Sequence, residues 1–451
     1  MIYADKIVRT LRVKIKDVPG KFGELATAIG KEKGSLGNVN KVRLDSHYII
    51  RDVAVYIDDE KHLDRVLSCI KKIDGVKLIE ITDEVLKLHE GGKLNVKSKV
   101  SLNTISDLQK IYTPGVASVC QTILKDPKQK YKYTSIANTV AIVTNGTAIL
   151  GLGNIGPVAG MPVMEGKAVL FDKLVGISAV PILIDVTDTQ KFIHTIASIS
   201  CTFSAIVLED IAAPGCFEIE KKLQALINIP VFHDDQHGTA VVVLAALMNA
   251  LRLVKKKKEN IRVVINGVGA AGMAIARILL TWKVKDIILC DRKGAIYKGR
   301  KENMNEYKEE ISKITNNRKE KGSLADVIKR KDIFIGVSAP NLLTPKMIKM
   351  MSKKAVVFAI ANPIPEIWPH EALKAGAALA FDGRSINNAL AFPGIFRGAL
   401  DVRAKRITDK MKIAAAKALA QSAKKGEIVP YILDLDVHKK VAEAVSKAAL
   451  H

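Results

Sequence analysis

Cysteines are few in this chain, and aromatic residues are scarce. The 451 residues include five cysteines, and only 5% of the chain is Phe, Trp or Tyr. The cysteines are scattered without any CxxC spacing, at Cys69, Cys120, Cys201, Cys216 and Cys290. An odd number without paired spacing argues against a disulfide framework or a thiolate zinc site. We predict that all five are packing residues.

Long hydrophobic runs are also absent. The longest apolar stretches, residues 175–184 and 240–248, are far shorter than the roughly 20 residues that span a bilayer. The N-terminus lacks the apolar core of a signal peptide. We therefore predict a cytoplasmic protein without a membrane partner, of a length that accommodates about two to four domains.

Acidic residues become scarce towards the C-terminus. The formal net charge is +24, and residues 238–451 carry 40 Lys and Arg against 19 Asp and Glu, whereas residues 1–90 carry 17 against 15. Such an excess raises the question of a nucleic-acid partner. The basic residues occur in short groups without interleaved aromatics, which is typical of solvated helix faces. We predict no nucleic-acid partner, and an attractive field for anionic substrates and cofactors.

The first 80 residues alternate between strand and helix periodicity. Residues 7–15, 48–57 and 76–81 alternate apolar with polar side chains, whereas residues 22–29 and 63–73 have helical spacing. With one further strand, this is the βαββαβ order of a ferredoxin-like domain. A charged, Gly-containing stretch at residues 89–93 follows, and longer βα units begin after it.

A glycine-rich turn later in the chain has the context of a dinucleotide site. The strand at Arg262 to Asn266 runs into a GxGxxG turn and an apolar helix. The turn would bring its backbone close to a pyrophosphate, through Gly267, Gly269, Ala270, Ala271 and Gly272.

A carboxylate follows the next strand of this unit. Asp291 lies 19 residues beyond Gly272 and would bond the adenosine ribose 2′-hydroxyl. That carboxylate favours NAD over NADP, because it repels a 2′-phosphate. Arg292 and Lys293 beside it weaken the preference and leave NADP open.

Two acidic clusters lie upstream of that turn. Glu209-Asp210 follows the apolar residues 204–208, and His233-Asp234-Asp235 follows residues 229–232. Both would lie at the C-terminal ends of buried parallel strands, where α/β sheets bind their ligands. Several hard oxygen donors at one crevice suit Mg²⁺ or Mn²⁺.

Six ordered motifs carry a family resemblance. Together they resemble malic enzymes of the bacterial or archaeal type, on residues 112–117 (YTPGVA), 151–157 (GLGNIGP), 162–167 (PVMEGK), 208–211 (LEDI), 233–239 (HDDQHGT) and 392–398 (FPGIFRG). The strand followed by residues 17–22 (DVPGKF) is similar to an ACT domain. The resemblance implies an ACT-like domain at residues 1–90, a malic-enzyme substrate and metal domain at 93–237, and a Rossmann-type NAD(P)-binding domain with C-terminal helices at 238–451.

The malic enzyme resemblance also implies residue roles. Glu209, Asp210 and Asp235 would bind the divalent metal, and Asn362 and Asn388 would contact substrate or nicotinamide. In the implied reaction malate is oxidised and decarboxylated to pyruvate. Lys167 would act as general base, its pKa lowered by the cation, and Tyr112 as general acid. An amino acid or metabolite would act as effector on the ACT-like domain, in a homodimer or higher homo-oligomer.

The chain departs from the family pattern at three places. Gly383-Arg384-Ser385 runs almost directly into Ile386-Asn387-Asn388, where relatives carry several more residues, so the position of Asn388 depends on a shortened segment. Asn145 stands where an Asp is common. Ala148 stands where the larger eukaryotic enzymes have a substrate-binding Arg.

Three other functions stay open. A malolactic-type decarboxylase would use the same residues, retain NAD and release lactate. A ligand-sensing homologue that has lost catalysis would bind cofactor without turnover. An enzyme like phosphoglycerate dehydrogenase also pairs an ACT module with GxGxxG, but it leaves the acidic clusters unexplained.

Overall fold

The structure is a computed structural model that describes residues 6–44 and 47–450. It divides into two compact units, at Lys93 and Leu94. The two units are described separately.

The N-terminal unit is an antiparallel sheet covered by helices. Its strands lie in the order β2-β3-β1-β4. Alternate residues of β1, Leu11, Val13 and Ile15, are buried in one core with Leu25 and Ile29 of α1. The βαββαβ order predicted from the sequence is confirmed. The elements are β1 (Ile7–Lys16), α1 (Lys21–Lys31), β2 (Ser35–Leu44), β3 (Tyr48–Ile57), α2 (Glu60–Ile70), β4 (Val76–Thr82) and α3 (Glu84–His89).

The second unit begins with helices and a parallel sheet of four strands, in the order β6-β5-β7-β8. All six residues of β5 and all four of β7 are buried, as expected for strands covered on both faces. The elements are α4 (Ile105–Ile111), α5 (Val116–Lys125), α6 (Lys130–Tyr133), β5 (Thr139–Thr144), α7 (Met161–Val175), β6 (Ser178–Leu183), α8 (Thr189–Ile199), β7 (Ala205–Leu208), α9 (Gly215–Leu226), β8 (Val231–His233) and α10 (Asp234–Val254).

A second sheet of six strands follows, in the order β11-β10-β9-β12-β13-β14. All its pairings are parallel except that of β11 with β10. The α/β fold class is confirmed. The elements are β9 (Arg262–Asn266), α11 (Ala270–Thr281), β10 (Asp286–Asp291), β11 (Gly294–Ala295), α12 (Glu306–Ser312), α13 (Leu324–Val327), β12 (Ile333–Gly336), α14 (Pro345–Lys349), β13 (Val356–Ala359), α15 (Pro369–Lys374), β14 (Leu379–Asp382), α16 (Phe392–Asp401), α17 (Asp409–Ser422) and α18 (Leu435–Leu450).

Helix α10 links the acidic cluster to the core of the unit. It begins at Asp234, directly after β8. Asp234 and Asp235 in its first turn complement the partial positive charge of the helix N-terminus. Within the described residues, α10 alone has the length and apolar composition of a membrane span. Of its apolar 18-residue stretch, 72% is buried in the structure. These properties are those of a core helix.

The cysteine prediction is only partly right. Cys216 and Cys290 are buried, and Cys69 is partly buried. Cys120 and Cys201 are exposed, so the prediction is wrong for these two. Cys120 lies on α5, a helix that buries none of its described residues, and Cys201 lies in a short surface turn after α8.

Candidate active site

Three acidic side chains converge at the ends of two neighbouring strands. Glu209 and Asp210 follow β7, and Asp235 lies in the first turn of α10 after β8. The two strands are parallel, with Leu208 opposite His233, so both acidic segments leave the sheet at the same edge. One oxygen from each of the three carboxylates lies within 4.8 Å of the others.

Burial makes the ionised form of this acidic group unfavourable. Burial, followed by the negative charge of Asp235, raises the pKa of Asp210 to about 7. Burial also raises the pKa of Glu209. Among the described residues, Asp210 Oδ2 is buried without a hydrogen-bond partner. Three converging hard oxygen donors, one with a buried oxygen that lacks a partner, fit Mg²⁺ or Mn²⁺.

Lys167 lies next to the acidic group. Helix α7 places its ammonium in the interior, where Nζ donates to Glu209 Oε2 at 2.5 Å and also to Asp234 Oδ2. Burial lowers the pKa of Lys167, but the charges of Asp234 and Glu209 outweigh it and raise the pKa. The lowering of this pKa by a bound cation stays a prediction. Asp234, to which the sequence assigned no role, is a direct partner of Lys167.

Asn388 contacts Asp234, the partner of Lys167, despite the shortened segment before Asn388. Its Nδ2 donates to Asp234 Oδ2 at 2.7 Å. The turn after β14 is closed by the Ser385 amide, which donates to the Asp382 carbonyl at 3.1 Å. Gly238 leaves the space that the Asp234 carboxylate occupies, because a Cβ there would overlap Asp234 Oδ1. The short connection therefore still brings Asn388 to the partner of Lys167.

Asn362 lies between two glycine turns. Its side-chain Oδ1 would be 2.7 Å from a Cβ at Gly383, and its carbonyl oxygen 3.0 Å from a Cβ at Gly151. Asn362 follows β13, the strand next to β14 in the second sheet. It thus lies at the C-terminal edge of that sheet.

Tyr112 is not brought into this cluster. It ends α4, and its side chain is 68% exposed. Within the described residues, its hydroxyl forms no hydrogen bond with Lys167 or with the three acids. The helices on either side of it, α4 and α5, bury none of their described residues.

The glycine-rich turn has the predicted geometry. β9 ends at Asn266 and α11 begins at Ala270, so the turn joins a strand to a helix N-terminus. Gly267 has φ of 121°, and a Cβ at Gly272 would overlap the Gly267 carbonyl oxygen. Asp291 ends the adjacent strand β10, and Arg292 beside it is exposed.

Sequence reasoning missed the carboxylate that supports the acidic cluster. Glu220 of α9 is 7% exposed and accepts hydrogen bonds from the His233 amide at 3.0 Å and from Gln236 Nε2 at 3.1 Å. His237 Nε2 lies 3.0 Å from both of its oxygens. A Glu in a mixed helical sequence carries no sign of burial, so only the packing of α9 against β8 identifies it.

Comparison with known proteins agrees with this architecture. Residues 91–224 match the malic enzyme N-terminal domain, residues 236–450 the malic enzyme NAD-binding domain, and residues 6–80 an ACT domain. The chain belongs to the malic enzyme family. Both resemblances predicted from the sequence are confirmed, whereas the exact division at residues 237 and 238 stays a prediction.

Individual malic enzymes are similar over most of the chain. The NAD-dependent malic enzyme of Geobacillus stearothermophilus is 47% identical over 450 residues, which cover 98% of this chain and 94% of that protein. A bifunctional malic/malolactic enzyme of Bacillus subtilis is 50% identical over 82% of this chain and 92% of its own length. The crystal structure of the NAD-dependent malic enzyme of Thermotoga maritima superposes with a TM-score of 0.78 at 46% identity, covering 80% of this chain and 98% of that one.

Proposed function

We propose that this chain catalyses the divalent-metal-dependent oxidative decarboxylation of malate to pyruvate and CO₂, with reduction of NAD. The observation that carries the proposal is a buried lysine bonded to two carboxylates, one of which belongs to a group of three converging acids. The same unit holds a dinucleotide-type turn at the end of β9. Membership of the malic enzyme family supports the same reaction.

The proposed roles follow from the contacts. Glu209, Asp210 and Asp235 would hold the divalent cation, which would supply Lewis acidity at the malate C2 oxygen, and a nicotinamide cofactor bound at the glycine-rich turn would supply the hydride acceptor. Lys167 takes the C2 hydroxyl proton at Nζ after releasing its own proton. Asp234 can accept the proton that Lys167 releases, because it contacts Nζ directly and burial raises its pKa.

Asn388 and Tyr112 complete the proposal. Asn388 orients Asp234 through the 2.7 Å bond and, with Asn362, contacts substrate or nicotinamide. Tyr112 donates the proton to C3 after CO₂ has left. The substrate carboxylate does not depend on an arginine at residue 148, which is Ala in this chain.

We further propose a cytoplasmic homodimer or higher homo-oligomer. The segment around Tyr112 exposes apolar side chains, among them Val96, Leu102, Ile105 and Leu124. A second copy that covers this segment would remove a large apolar surface from water. The assembly would bury Tyr112 together with its neighbours.

The ACT domain is proposed to bind a regulatory amino acid or metabolite. Gly20, with φ of 85°, forms the turn that precedes α1, whose first amides can receive a carboxylate. We expect such an effector to change the affinity of the full-length chain for malate by a coupling of about 1–3 kcal/mol. Kinetics of the wild type and Gly20→Asp against an amino-acid panel test this proposal. No response in the wild type would leave only a role in dimerisation.

A malolactic reaction is the second candidate. The bifunctional malic/malolactic enzyme of Bacillus subtilis favours it, since that relative is 50% identical to this chain. The residues that would contact the metal and the substrate are the same for both reactions. Lactate release without net NADH formation would identify the malolactic reaction.

Substitution of Asp235 tests the proposed metal site. Asp235→Asn removes one of three ligand charges, so we expect Mn²⁺ affinity to fall by about one order of magnitude or more while NAD binding survives. Mn²⁺ titration and malate turnover measure the two effects. Asp172→Asn on the exposed side of α7 is the matched control, because Asp172 contacts only the neighbouring Lys173 among the ion pairs of the described residues. Metal-dependent activity equal to that of the wild type would reject the assignment.

A further inference from the structure

A fully buried carboxylate at the carboxyl edge of the second sheet has no part in the reaction proposed above. Glu366 lies in the connection between β13 and α15 and is 0% exposed. Its carboxyl group lies against Gly336, the last residue of β12, because a Cβ at Gly336 would be 2.3 Å from the Glu366 carboxyl carbon. Within the described residues no lysine, arginine or histidine forms an ion pair with it. Burial raises the pKa of Glu366, although the amides that bond to it lower the pKa in part.

The Glu366 carboxylate joins the ends of two neighbouring strands. Oε1 accepts from the Ser338 amide at 2.9 Å, two residues after β12, and Oε2 accepts from the Ala361 amide at 3.1 Å, two residues after β13. The Ser338 hydroxyl in turn accepts from Asn266 Nδ2 at 2.8 Å, so the end of β9 joins the same network. One buried side chain thus contacts the backbone that leaves both β12 and β13.

This bridge begins where the sheet pairing ends. The register of β12 with β13 stops at the pair Gly336 and Ala359. Beyond that pair the ladder no longer sets the distance between the two chain segments. The carboxylate continues the connection for two more residues on each strand, because the Ser338 and Ala361 amides share it as acceptor. Glu366 therefore fixes the backbone on both sides of the crevice between these strand ends.

The same strand ends would receive the nicotinamide half of a dinucleotide. The strand order of the sheet reverses between β9 and β12, and such a reversal is where dinucleotides bind. The glycine-rich turn follows β9, and Asp291 ends β10 on one side of it. With the adenosine on the β10 side, the nicotinamide would extend across the ends of β12 and β13. Asn362, expected to contact substrate or nicotinamide, directly follows Ala361.

We infer that Glu366 is a positioning residue for the nicotinamide half of the cofactor. It holds Ser338 and Ala361 at a fixed separation and, through Ala361, sets the position of Asn362. Asn362 has little freedom to compensate for a shift, since its Oδ1 lies 2.7 Å from where a Cβ at Gly383 would be. The inference rests on the proposed nicotinamide-dependent function.

Binding of two probes to the full-length chain tests the inference without requiring turnover. The probes are NAD and ADP-ribose, which share the adenosine and the pyrophosphate but differ in the nicotinamide, measured by calorimetry without malate or metal. Glu366→Gln keeps the size of the side chain but turns an NH₂ group towards one of the two amides. We expect this variant to bind NAD about 10-fold more weakly, the loss expected for one buried hydrogen bond, and ADP-ribose less than about 3-fold more weakly.

A second variant reaches the same carboxylate from the other side. Gly336→Ala keeps Glu366 but places a Cβ on its carboxyl group, so it should also weaken NAD more than ADP-ribose. Glu371→Gln on α15 is the matched control, because Glu371 is exposed and the substitution makes the same charge change. Far-UV circular dichroism verifies the fold, and Gly336→Ala alone decides if Glu366→Gln does not fold.

Turnover provides a readout that loss of stability alone would not produce. With malate, Mn²⁺ and saturating NAD, we expect kcat of Glu366→Gln to fall by about 10-fold while KM for malate stays within about 3-fold, because a misplaced hydride acceptor slows the chemical step. Glu371→Gln should match the wild type in both constants.

The outcomes separate this inference from the proposed function. Equal weakening of NAD and ADP-ribose in Glu366→Gln, or no weakening of either, would overturn the positioning role and leave the malate reaction of the wild type intact. A wild type that binds NAD no more tightly than ADP-ribose would also overturn the inference. Binding of neither probe to the wild type would overturn the dinucleotide site and the proposed function together.

Discussion

Glu220 offers the sharpest test of how the metal site is held in place. This buried carboxylate of α9 accepts from the His233 amide, Gln236 and His237, all of which belong to the segment that carries Asp235. Burial raises its pKa, but the charge and hydrogen bond of His237 outweigh that effect, and the pKa is lowered. Glu220 is therefore an ionised anchor for the start of α10.

The cost of removing it follows from the donors left behind. In Glu220→Ala the His233 amide and the Gln236 side chain lose a buried acceptor, and each such loss costs about 1–3 kcal/mol. Two donors together give a loss of about 2–6 kcal/mol in the free energy of unfolding. Glu220→Gln keeps one acceptor oxygen, so its loss should be roughly half as large. We expect both variants to bind Mn²⁺ more weakly, because Asp235 is no longer held.

Urea unfolding followed by tryptophan fluorescence measures the stability. Both tryptophans, Trp282 and Trp368, belong to the second unit, so the signal reports on the unit that contains Glu220. Glu218→Gln is the matched control on the same helix, since Glu218 is more exposed and pairs with Lys222. An unfolding free energy of Glu220→Ala within about 0.5 kcal/mol of wild type, with unchanged Mn²⁺ affinity, would show that Glu220 does not anchor the start of α10.

Three further predictions address charge, chemistry and the cofactor turn. Because burial and Asp235 raise the pKa of Asp210 to about 7, its carboxyl holds a proton more tightly in the folded than in the unfolded chain. The stability that the Asp210 carboxyl contributes is therefore present at low pH and lost as pH rises through 7. Mn²⁺ should accordingly raise the Tm more at pH 8 than at pH 6. In Asp210→Asn this difference between the two pH values should become smaller. Lys167→Ala should lower malate oxidation by about 10²–10⁴-fold, whereas Tyr112→Phe should spare much of oxaloacetate reduction; stopped-flow NADH absorbance separates the two steps. Gly272→Ala should abolish NAD binding in a calorimetric titration, because its Cβ would overlap the Gly267 carbonyl oxygen, and retained affinity would contradict that geometry.

Features set by local sequence were predicted well. Glu209, Asp210 and Asp235 were expected together because each follows a buried apolar strand, and parallel strands end at one edge of a sheet. The turn at Gly267 was predicted because strand, glycines and helix are contiguous in the chain. The malic enzyme family assignment rested on the same kind of contiguous motif and is confirmed.

Features that depend on distant contacts were not predictable. Asp234 lies 67 residues from Lys167 and 154 from Asn388, so nothing in its own segment distinguishes it from a capping residue. Asp291 accepts hydrogen bonds from residues 293, 300, 303 and 308, whose convergence depends on the segment between β10 and α12. Tyr112 is likewise exposed because α4, which it follows, buries none of its described residues within a single chain.

The stoichiometry of the products distinguishes oxidative decarboxylation of malate from its alternatives. Purified full-length protein would be given malate, Mn²⁺ and NAD, with NADH measured by absorbance and pyruvate, lactate and CO₂ by quantitative chromatography. We expect equal amounts of NADH, pyruvate and CO₂, with none formed when EDTA replaces Mn²⁺. Lactate and CO₂ without net NADH, or no turnover with cofactor still bound, would contradict it.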